Sequence, residues 1–379
     1  MVTVLNIVTR MNIGGVSVVI AGLMENIDTD QFRIVTVTGN CENNEIELPG
    51  IHDLPGEIIR VKSLKRSLGF LSDLKSIIDV WRIIIRVKPQ IIHTHTSKAG
   101  IIGRIASLIV SRDIVLIHSY HGHLLYGYYS KSISNLIVIL ERLLGRYTSK
   151  LIADSKQVKK DLIHMKIGYE EKWLVIPPGI RKSTLLEKDK SRLSLNYNNE
   201  EKIICWVGRF AEIKNPFLAL DSFEIISRHI NNCKLIMIGG GHLLDGARIQ
   251  ALKHDLRVEF TGWLPDPSVH ICAADLLLLT SKNEGFGLVI AEAGWYGTPS
   301  LSTNVGGVSE FIIDNKSGFL ANEDKYSIAD RAVRILSDTK ICNEVGSRAR
   351  ALTKKHFTAL AFTKSHEVLY KGLTNRYLV

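Results

Sequence analysis

The residues best suited to chemistry lie in one segment, SKNEGFGLVIAEAGWY, at Ser281–Tyr296. Gly285 and Gly287 allow the backbone to approach a ligand closely. A helix that begins just after them would present unpaired N–H groups to a diphosphate. Glu284 and Glu292 are eight residues apart, which is a little over two turns at ~3.6 residues per turn, so both carboxylates could accept hydrogen bonds from the hydroxyls of one extended ligand. An ordinary turn before a solvated helix would have the same pattern, and this segment alone leaves both interpretations open.

These residues need a scaffold, and the hydrophobic pattern predicts one in each half of the chain. Short β-branched runs alternate with longer helical patterns, which is typical of a parallel sheet with crossover helices. In the first half the predicted strands are Val4–Val8, Arg33–Thr38, Ile91–His95, Val115–Ser119 and Leu151–Asp154. The helices predicted between them are Val16–Asn26, Leu71–Val87 and Gly100–Val110. In the second half the predicted strands are Ile203–Val207, Lys234–Ile238, Val258–Phe260, Asp275–Leu279 and Ser300–Thr303.

A polar stretch, Arg181–Glu201, separates the halves, and the Pro-Pro-Gly sequence at 177–179 would stiffen and turn the chain just before it. We therefore predict an N-terminal domain over residues 1–182 and a C-terminal domain over 183–356. The amphipathic segment at 357–379 is expected to cross back onto the first domain. Two doubly wound α/β domains in series leave an interdomain cleft at the carboxyl ends of their strands, where ligands bind in such folds.

The segment Ser281–Tyr296 resembles the E-x7-E signature of retaining family-4 glycosyltransferases, and the resemblance extends through nearly the whole chain. It implies a GT-B fold, in which two Rossmann-like domains face a cleft and the C-terminal one holds a nucleotide sugar. The N-terminal half of the chain resembles that of the family members that build bacterial surface glycans. The further matching segments, in the expected order, are HTHTSKAGIIGRIAS (His93–Ser107), HSYHGHLLYGYYS (His118–Ser130), ADSKQVKKDL (Ala153–Leu162), VGRFAEIKNP (Val207–Pro216), IGGG (Ile238–Gly241), EFTGWLPD (Glu259–Asp266) and VGGVSEFI (Val305–Ile312).

The resemblance also implies roles for individual residues of the second half. Arg209 and Lys214 would neutralise the donor diphosphate, since cations there stabilise the charge that grows on a departing nucleotide. Glu284 would contact the transferred sugar, and Glu292 the ribose hydroxyls. Backbone groups near the phosphates and nucleoside would come from Gly285, Phe286, Gly287 and Leu288.

In the first half, Gly14 and Gly15 follow the first predicted strand and open a helix, and we expect them near the phosphates or the acceptor. His121 matches the histidine that lies beside the transferred sugar in the family. It belongs to a group of histidines at positions 93, 95, 118, 121 and 123. We interpret His93 and His95 as strand-end residues, one at the cleft rim and one packed. The pairs His93-x-His95 and His121-x-His123 could suggest a metal site, but no acidic or cysteine ligand accompanies them at a convincing spacing. The resemblance also implies no metal.

The net charge of +10 is unevenly distributed. Residues 1–182 contain 24 Lys and Arg against 16 Asp and Glu, whereas the remainder contains 24 against 22. A basic half suggests an anionic partner. The apolar-basic segment Leu71–Lys88, which follows Lys65 and Arg66, could rest on anionic lipid, although a domain helix with its apolar side in the core would have the same pattern.

The sequence suggests a reduced environment. Five cysteines without a CxxC pair suit a cytosolic chain that uses cysteine as a small apolar residue. Neither a signal peptide nor an uncharged apolar run of ~18–20 residues is evident. We therefore expect a cytoplasmic protein, with peripheral contact to the inner face of the membrane as a further expectation.

The predicted function is transfer of a sugar from a nucleotide sugar, a UDP-sugar above all, to an acceptor hydroxyl with retention of configuration. The expected acceptor is a lipid-linked or oligosaccharide glycan of a cell-envelope polysaccharide, and no cofactor is expected. A sugar-nucleotide epimerase of the same architecture and a non-catalytic binding subunit remain alternatives. A dehydrogenase is disfavoured because Thr9–Val16 lacks the G-x-G-x-x-G turn, and nucleic-acid binding because no binding module accompanies the charge.

Overall fold

The computed structural model describes residues 1–42, 45–110, 113–122, 131–181 and 185–374. The chain forms two compact units, one of residues 1–181 with the segment from Thr358 onward, and one of the intervening residues up to Phe357. Each unit is built on one parallel sheet with helices between the strands. The predicted fold class of two Rossmann-like doubly wound domains is therefore confirmed.

The first unit is organised around a seven-stranded parallel sheet. Its strands are β1 (Val2–Arg10), β2 (Phe32–Gly39), β3 (Glu57–Arg60), β4 (Ile91–His95), β5 (Val115–Tyr120), β6 (Lys150–Ala153) and β7 (Trp173–Val175). Its helices before the boundary are α1 (Gly15–Asn26), α2 (Phe70–Val87), α3 (Ser97–Val110), α4 (Lys131–Tyr147) and α5 (Lys156–His164). The strand order is β3-β2-β1-β4-β5-β6-β7. Successive strands are added to one side of β1 up to β3 and to its other side from β4 onward, so the strand order reverses between β1 and β4.

The second unit repeats this plan with a six-stranded sheet. Its strands are β8 (Lys202–Val207), β9 (Cys233–Ile238), β10 (Val258–Gly262), β11 (Leu276–Leu279), β12 (Ser300–Thr303) and β13 (Phe319–Ala321). Its helices are α6 (Lys188–Ser194), α7 (Pro216–His229), α8 (Leu244–Lys253), α9 (Ser268–Ala273), α10 (Leu288–Tyr296), α11 (Val308–Phe311), α12 (Lys325–Ser337) and α13 (Thr339–His356). The strand order is β10-β9-β8-β11-β12-β13, so it reverses between β8 and β11.

After α13 the chain returns to the first unit as α14 (Ala359–Thr374). The return begins beside the boundary, where the N–H of Ala359 donates to the carbonyl of Ile180 at 2.8 Å. Further along, Glu367 accepts a hydrogen bond from the N–H of Asp28 at 2.8 Å, and Tyr370 is fully buried. The last helix is thus an integral part of the first unit.

The strands are apolar on both faces because helices cover both sides of each sheet. Leu5 and Ile7 of β1 are completely buried, as are Trp206 of β8 and Phe223 of α7 in the second unit. Burial of large apolar side chains such as these contributes roughly 1.5–3 kcal/mol each to folding.

A buried ion pair fixes α4 against α3. Nη2 of Arg104 donates to both carboxylate oxygens of Glu141 at 2.6 and 2.7 Å. The hydroxyl of Tyr120, at the end of β5, donates to the same carboxylate at 2.6 Å. None of the three side chains is more than 1% exposed. Since an unpaired charge would be costly at such a site, the three residues must be placed together.

Three strands were not predicted from the sequence, namely β3, β7 and β13. Each has only three or four residues and lies at an end of its sheet. Runs this short carry no periodicity, and pairing with the neighbouring strand defines them. Asp275 was predicted as the first residue of a strand but lies just before β11, where its carboxylate accepts hydrogen bonds from Lys188 and Arg192, both at 2.7 Å.

Two helices of the first unit have apolar side chains on exposed faces. Phe70 and Leu71 at the start of α2 are 84% and 79% exposed, and Leu136 and Ile139 of α4 are 57% and 59% exposed. Within the described parts of the chain, no helix combines the length and the apolar character needed to cross a bilayer.

Candidate functional site

The carboxyl ends of β8 and β11 bring the two predicted cation and carboxylate segments together. Lys214 follows β8 and Glu284 follows β11, and their side chains form an ion pair. The hydroxyl of Ser281 donates to Oε1 of Glu284 at 2.5 Å. The Glu284 side chain is 10% exposed and that of Lys214 is 26% exposed. Because β8 and β11 are neighbours at the change of sheet direction, this is the position where doubly wound folds bind ligands.

Hydrogen bonds join the two loops that carry this ion pair. The indole N–H of Trp206 donates to Oγ1 of Thr280 at 3.0 Å. The same hydroxyl donates towards the carbonyl of Asn215 at 2.9 Å. The N–H of Lys282 donates to the carbonyl of Ile213 at 2.8 Å. These bonds hold the loops at a fixed separation, so the ion pair lies on a preformed framework rather than on independent loops.

Two glycines permit the backbone path around Glu284. Gly287 has φ 82° as the residue before α10. Gly306 has φ 53°, and a Cβ atom there would lie 1.9 Å from the carbonyl oxygen of Glu284. The neighbouring N–H of Gly307 donates to that oxygen at 3.0 Å. The loop before α11 therefore fits against Glu284 only without side chains.

The N-terminus of α10 has the features of an anion-binding site. No side chain caps it and its first turn contains no acidic residue, so its first N–H groups and the positive end of the helix dipole are open to a ligand. Gly285 and Leu288 lie half-buried at this end. The ring of Phe286 instead packs in the core, with its centroid 5.0 Å from that of Phe357, so only its backbone is available.

Glu292 lies on α10, half-buried, and among the described residues its carboxylate has no hydrogen-bond or ion-pair partner. Burial, assisted by the negative charge of Asp266, raises the pKa of Glu292 to about 7. A partly buried carboxylate that has no donor among the described residues is well suited to accept hydrogen bonds from ligand hydroxyls. This environment differs from the solvated helix position that the sequence had left open.

Arg209 also occupies the loop after β8, where it is half-buried. The N–H of Ala211 donates to its carbonyl at 2.8 Å, and that of Lys214 to the carbonyl of Ala211 at 3.0 Å. Arg209 and Lys214 are thus carried by one tight backbone turn beside the switch point of the sheet.

In the first unit, Gly14 and Gly15 are exposed at the start of α1. No side chain caps this helix either, and a Cβ atom at Gly14 would meet nothing within 4 Å. Packing within the unit does not require glycine there. The pair leaves open space above a second uncapped helix N-terminus.

His121 follows β5 with both ring nitrogens engaged. Its Nε2 forms a hydrogen bond of 3.0 Å with Nδ1 of His95, and its Nδ1 lies 3.3 Å from Oδ1 of Asp154. The side chain is only 6% exposed. His123, together with the rest of its motif up to residue 130, lies outside the described residues.

The expected division of His93 and His95 between a rim position and a packed position is wrong, because both are buried, at 0% and 1% exposure. The histidines also do not form one cluster. His93 and His95 share a face of the sheet, whereas His118 contacts Thr94 at 2.8 Å on the other face, because side chains alternate along a strand.

Three residues of this arrangement were not singled out from the sequence, namely Asp154, Thr280 and Ser281. Each directly follows a strand, Asp154 after β6 and the other two after β11. A polar residue at the carboxyl end of a parallel strand is the signal that could have identified them.

In the ranges that the structure describes, no three His, Cys, Asp or Glu side chains are arranged to hold a metal ion.

Each half of the chain matches the model of a known glycosyltransferase family. Residues 13–183 match the Glycosyltransferase Family 4 model, and residues 187–352 match the model of Glycosyl transferases group 1. The match boundary falls close to the division between the two structural units at Arg181.

Two bacterial glycosyltransferases are among the proteins similar to this chain in sequence. The capsular polysaccharide biosynthesis glycosyltransferase CapM of Staphylococcus aureus is 26% identical over 83% of this chain and 85% of its own. An Escherichia coli protein named UDP-Gal:alpha-D-GlcNAc-diphosphoundecaprenol alpha-1,3-galactosyltransferase is 28% identical over 76% of this chain and 77% of its own.

Solved structures share the fold. A sucrose-phosphate synthase of Thermosynechococcus elongatus superposes with a TM-score of 0.84 at 22% identity, covering 99% of each chain. Anabaena HepE, in complex with UDP and glucose, superposes with a TM-score of 0.80 at 21% identity, covering 98% of this chain and 100% of its own. With its two matched domains, the chain belongs to the family-4 glycosyltransferases of GT-B fold, among relatives that synthesise bacterial polysaccharides.

Proposed function

We propose that the protein transfers a glycosyl group from a UDP-sugar to the hydroxyl of a lipid-linked glycan, with retention of anomeric configuration, during synthesis of a cell-envelope polysaccharide. The observation that carries the proposal is the Lys214–Glu284 ion pair, which lies in the same unit as the uncapped N-terminus of α10. A cation, a carboxylate and free N–H groups suit a diphosphate joined to a sugar.

The donor diphosphate is bound by Arg209, Lys214 and the N–H groups that open α10. Lys214 then exchanges its carboxylate partner for a phosphate oxygen, and this exchange releases Glu284 to accept hydrogen bonds from the sugar. The same cations stabilise the charge that develops on UDP as the glycosidic bond breaks. Backbone groups of Gly285, Phe286, Gly287 and Leu288 line this part of the site.

Glu292 binds the ribose. Its partly buried carboxylate has no partner among the described residues, and the two ribose hydroxyls would supply the missing donors. Hydrogen bonds to the charged form offset the desolvation that raises the pKa of this group.

The first unit contributes His121, which orients the transferred sugar, and the Gly14–Gly15 turn, which contacts the phosphates or the acceptor. The acceptor hydroxyl attacks from the face that the nucleotide leaves. Its proton passes to the departing diphosphate, so the reaction balances without a base from the protein.

The choice of donor and acceptor rests on the relatives. The name of the E. coli relative contains a UDP-sugar donor and a diphosphoundecaprenol acceptor, and HepE has been solved with UDP-glucose. A polyprenyl-linked acceptor would keep the enzyme at a membrane surface.

An anionic membrane surface is the proposed partner of residues 62–75, which lead from the basic residues before α2 into the apolar-basic segment Leu71–Lys88. Within residues 62–75, Leu68, Phe70 and Leu71 are between 54% and 84% exposed, and Lys65 and Arg66 beside them are exposed as well. Apolar side chains next to cations match the chemistry of an anionic bilayer, and the first half carries most of the net positive charge, with 24 Lys and Arg against 16 Asp and Glu.

Ligand-observed NMR against a panel of UDP-, GDP- and ADP-sugars tests the proposal. We expect one UDP-sugar to bind and Glu292→Ala to weaken it. Glu323→Ala, which changes an exposed glutamate of the same unit, is the matched control and should bind as the wild type does.

The bound donor is then incubated with lipid-linked acceptors, and the linkage of the product is determined by NMR. An α-linked product from an α-linked donor is expected. Release of an epimerised nucleotide sugar without acceptor would instead identify an epimerase. Failure of a folded protein to bind any nucleotide sugar would contradict the proposed function.

A further inference from the structure

Three neighbouring strands of the first unit end in polar side chains that contact one another. His95 is the last residue of β4, His121 follows β5 and Asp154 follows β6, and these strands are adjacent in the order β4-β5-β6. His95 and His121 are joined at 3.0 Å, and His121 and Asp154 lie 3.3 Å apart. All three side chains are more than nine-tenths buried.

The chemistry of these contacts defines the proton positions when His121 is neutral. A carboxylate only accepts hydrogen bonds, so Nδ1 of His121 carries the proton that faces Asp154. Its Nε2 is then an acceptor, and Nδ1 of His95 must be the donor. Nε2 of His95 is left unprotonated, and it is buried without a hydrogen-bond partner.

The surrounding groups do not compete for these positions. Both ring nitrogens of His93, whose ring centroid lies 4.1 Å from that of His95, are used at 2.7 Å by Tyr370 and Ser119. Nδ1 of His366 is bound to the carbonyl of Phe362 at 2.9 Å. Burial, with the nearby His121 and His366, lowers the pKa of His95 well below its ordinary value, which keeps its imidazole neutral.

We infer that Asp154 and His95 are positioning residues for His121, and that they fix its ring in the Nδ1–H tautomer with both nitrogens occupied. The inference rests on the proposed function only in that His121 lies beside the transferred sugar. His121 then presents its ring edge and backbone to the sugar rather than a free ring N–H. Its orientation depends on Asp154 and His95, which act through their contacts with its two ring nitrogens.

The tautomer is read directly by long-range ¹H–¹⁵N spectra of the full chain with labelled histidine, at pH 8, where histidine is ordinarily neutral. We expect Nδ1 of His121 and Nδ1 of His95 to be protonated. Asp154→Asn replaces the carboxylate by an amide that can present either its oxygen or its N–H group to Nδ1, so His121 should no longer hold the Nδ1–H tautomer alone and should show a mixture with the Nε2–H tautomer. Asp53→Asn, which removes the same charge at an exposed position of the same unit, should leave both unchanged.

A conservative replacement separates positioning from packing. The amide nitrogen of asparagine stands where Nδ1 of histidine stands, so His95→Asn can still donate to His121 and should keep its Nδ1–H tautomer. His95→Leu retains bulk without a donor, so Asp154 still holds the Nδ1–H of His121, but Nε2 of His121 loses its partner and its ¹⁵N shift should move to that of an acceptor nitrogen without a hydrogen bond. In transfer assays Asp154→Asn and His95→Leu should reduce kcat by roughly tenfold to a hundredfold with little change in the KM for donor, and His95→Asn should restore most of the rate.

The tautomer readout needs no substrate, so the two proposals fail separately. An Nε2–H tautomer of His121 in the wild type would overturn the inference, and so would unchanged ¹⁵N shifts of the His121 ring in both Asp154→Asn and His95→Leu. Correct tautomers in a protein that transfers no sugar would leave the positioning intact and contradict the proposed function instead.

Discussion

At the scale of residues, the second unit holds two of its candidate groups as a neutral ion pair. Lys214 is paired with Glu284, and Ser281 donates to the same carboxylate. Neither charge is left alone in a partly buried position, which would be costly. A diphosphate sugar can replace both interactions at once, because it brings an anion for the lysine and hydroxyl donors for the glutamate.

Substitution should separate the two partners of this ion pair. Lys214→Ala removes a charge-assisted contact with phosphate worth about 1.5–3 kcal/mol, so we expect UDP to bind roughly ten- to a hundredfold more weakly. Glu284→Gln should not weaken UDP binding, because its partner is the sugar, but it should strongly reduce kcat. Isothermal titration with UDP and steady-state kinetics measure the two effects.

Lys253→Ala, which removes an exposed lysine of α8, serves as the control for net charge and should bind UDP as the wild type does. Equal weakening of UDP binding in Lys214→Ala and Glu284→Gln would contradict the division of roles.

The donor affinity should also depend on pH through Glu292. Its pKa is raised to about 7 in the free protein, and hydrogen bonds from ribose would lower it, so binding below that pH must release a proton. The affinity for a UDP-sugar should therefore rise from pH 6 to pH 8 by roughly tenfold, the change expected for one titrating group, and then level off. Isothermal titration calorimetry with UDP-glucose, in buffers of different ionisation enthalpy, measures both the affinity and the number of protons released on binding.

Glu292→Gln should flatten this pH dependence and abolish the proton release. An affinity that falls with rising pH in the wild type would show that the ligand binds the protonated carboxyl group, contrary to the proposed ribose contact.

At the scale of elements, the position of α4 depends on one buried carboxylate. Glu141 neutralises Arg104 of α3 and accepts from Tyr120 at the end of β5. Two helices and one strand thus share a set of hydrogen bonds in which each member depends on the others. The residue that β5 leads to is His121, so this set lies close in the chain to the positioned histidine.

Removal of that carboxylate should destabilise the first unit. Glu141→Gln leaves Arg104 buried without its counter-charge, and we expect a loss of about 3–5 kcal/mol in the free energy of unfolding. Tyr120→Phe removes only a hydroxyl and should cost about 1–3 kcal/mol. Urea unfolding followed by hydrogen–deuterium exchange of peptides from α3, α4 and β5 reports on this unit.

The double variant Arg104→Met with Glu141→Leu replaces the pair by apolar side chains and should recover much of the lost stability. A double variant less stable than Glu141→Gln would show that packing around the pair, rather than its charge, controls the position of α4.

At the scale of the whole molecule, the uneven charge and the exposed segment at residues 62–75 predict binding to anionic bilayers. Phe70→Ser combined with Leu71→Ser should abolish sedimentation with phosphatidylglycerol vesicles, because the two apolar side chains can then no longer insert into the bilayer. Both side chains are largely exposed, so the change should leave the fold intact. Binding of the wild type should weaken as salt is raised, since the electrostatic part is screened. Leu252→Ser, at an 81% exposed leucine of the second unit, is the matched control.

Equal sedimentation with phosphatidylcholine vesicles would contradict an electrostatic contribution. Unchanged sedimentation of the double serine variant would exclude the segment as the contact. Circular dichroism and donor binding confirm that each variant is folded.

The alternation of strands and helices and the position of the segment with Glu284 and Glu292 could be predicted from the order of amino acids. Both are local properties, since periodicity and glycine spacing express which backbone a short stretch can adopt. Order along the chain, carried by several weak motifs together, was enough to identify the family.

Which side chains meet depends on the fold of each unit and could not be predicted in this way. Lys214 and Glu284 are 70 residues apart in the chain, and they touch because β8 and β11 are adjacent in the sheet. The same holds for His95, His121 and Asp154 at the ends of β4, β5 and β6, and the separation of His118 from them follows from the alternating faces of the strands. Strand order and burial arise from the packing of the whole unit, and no local stretch of sequence contains them.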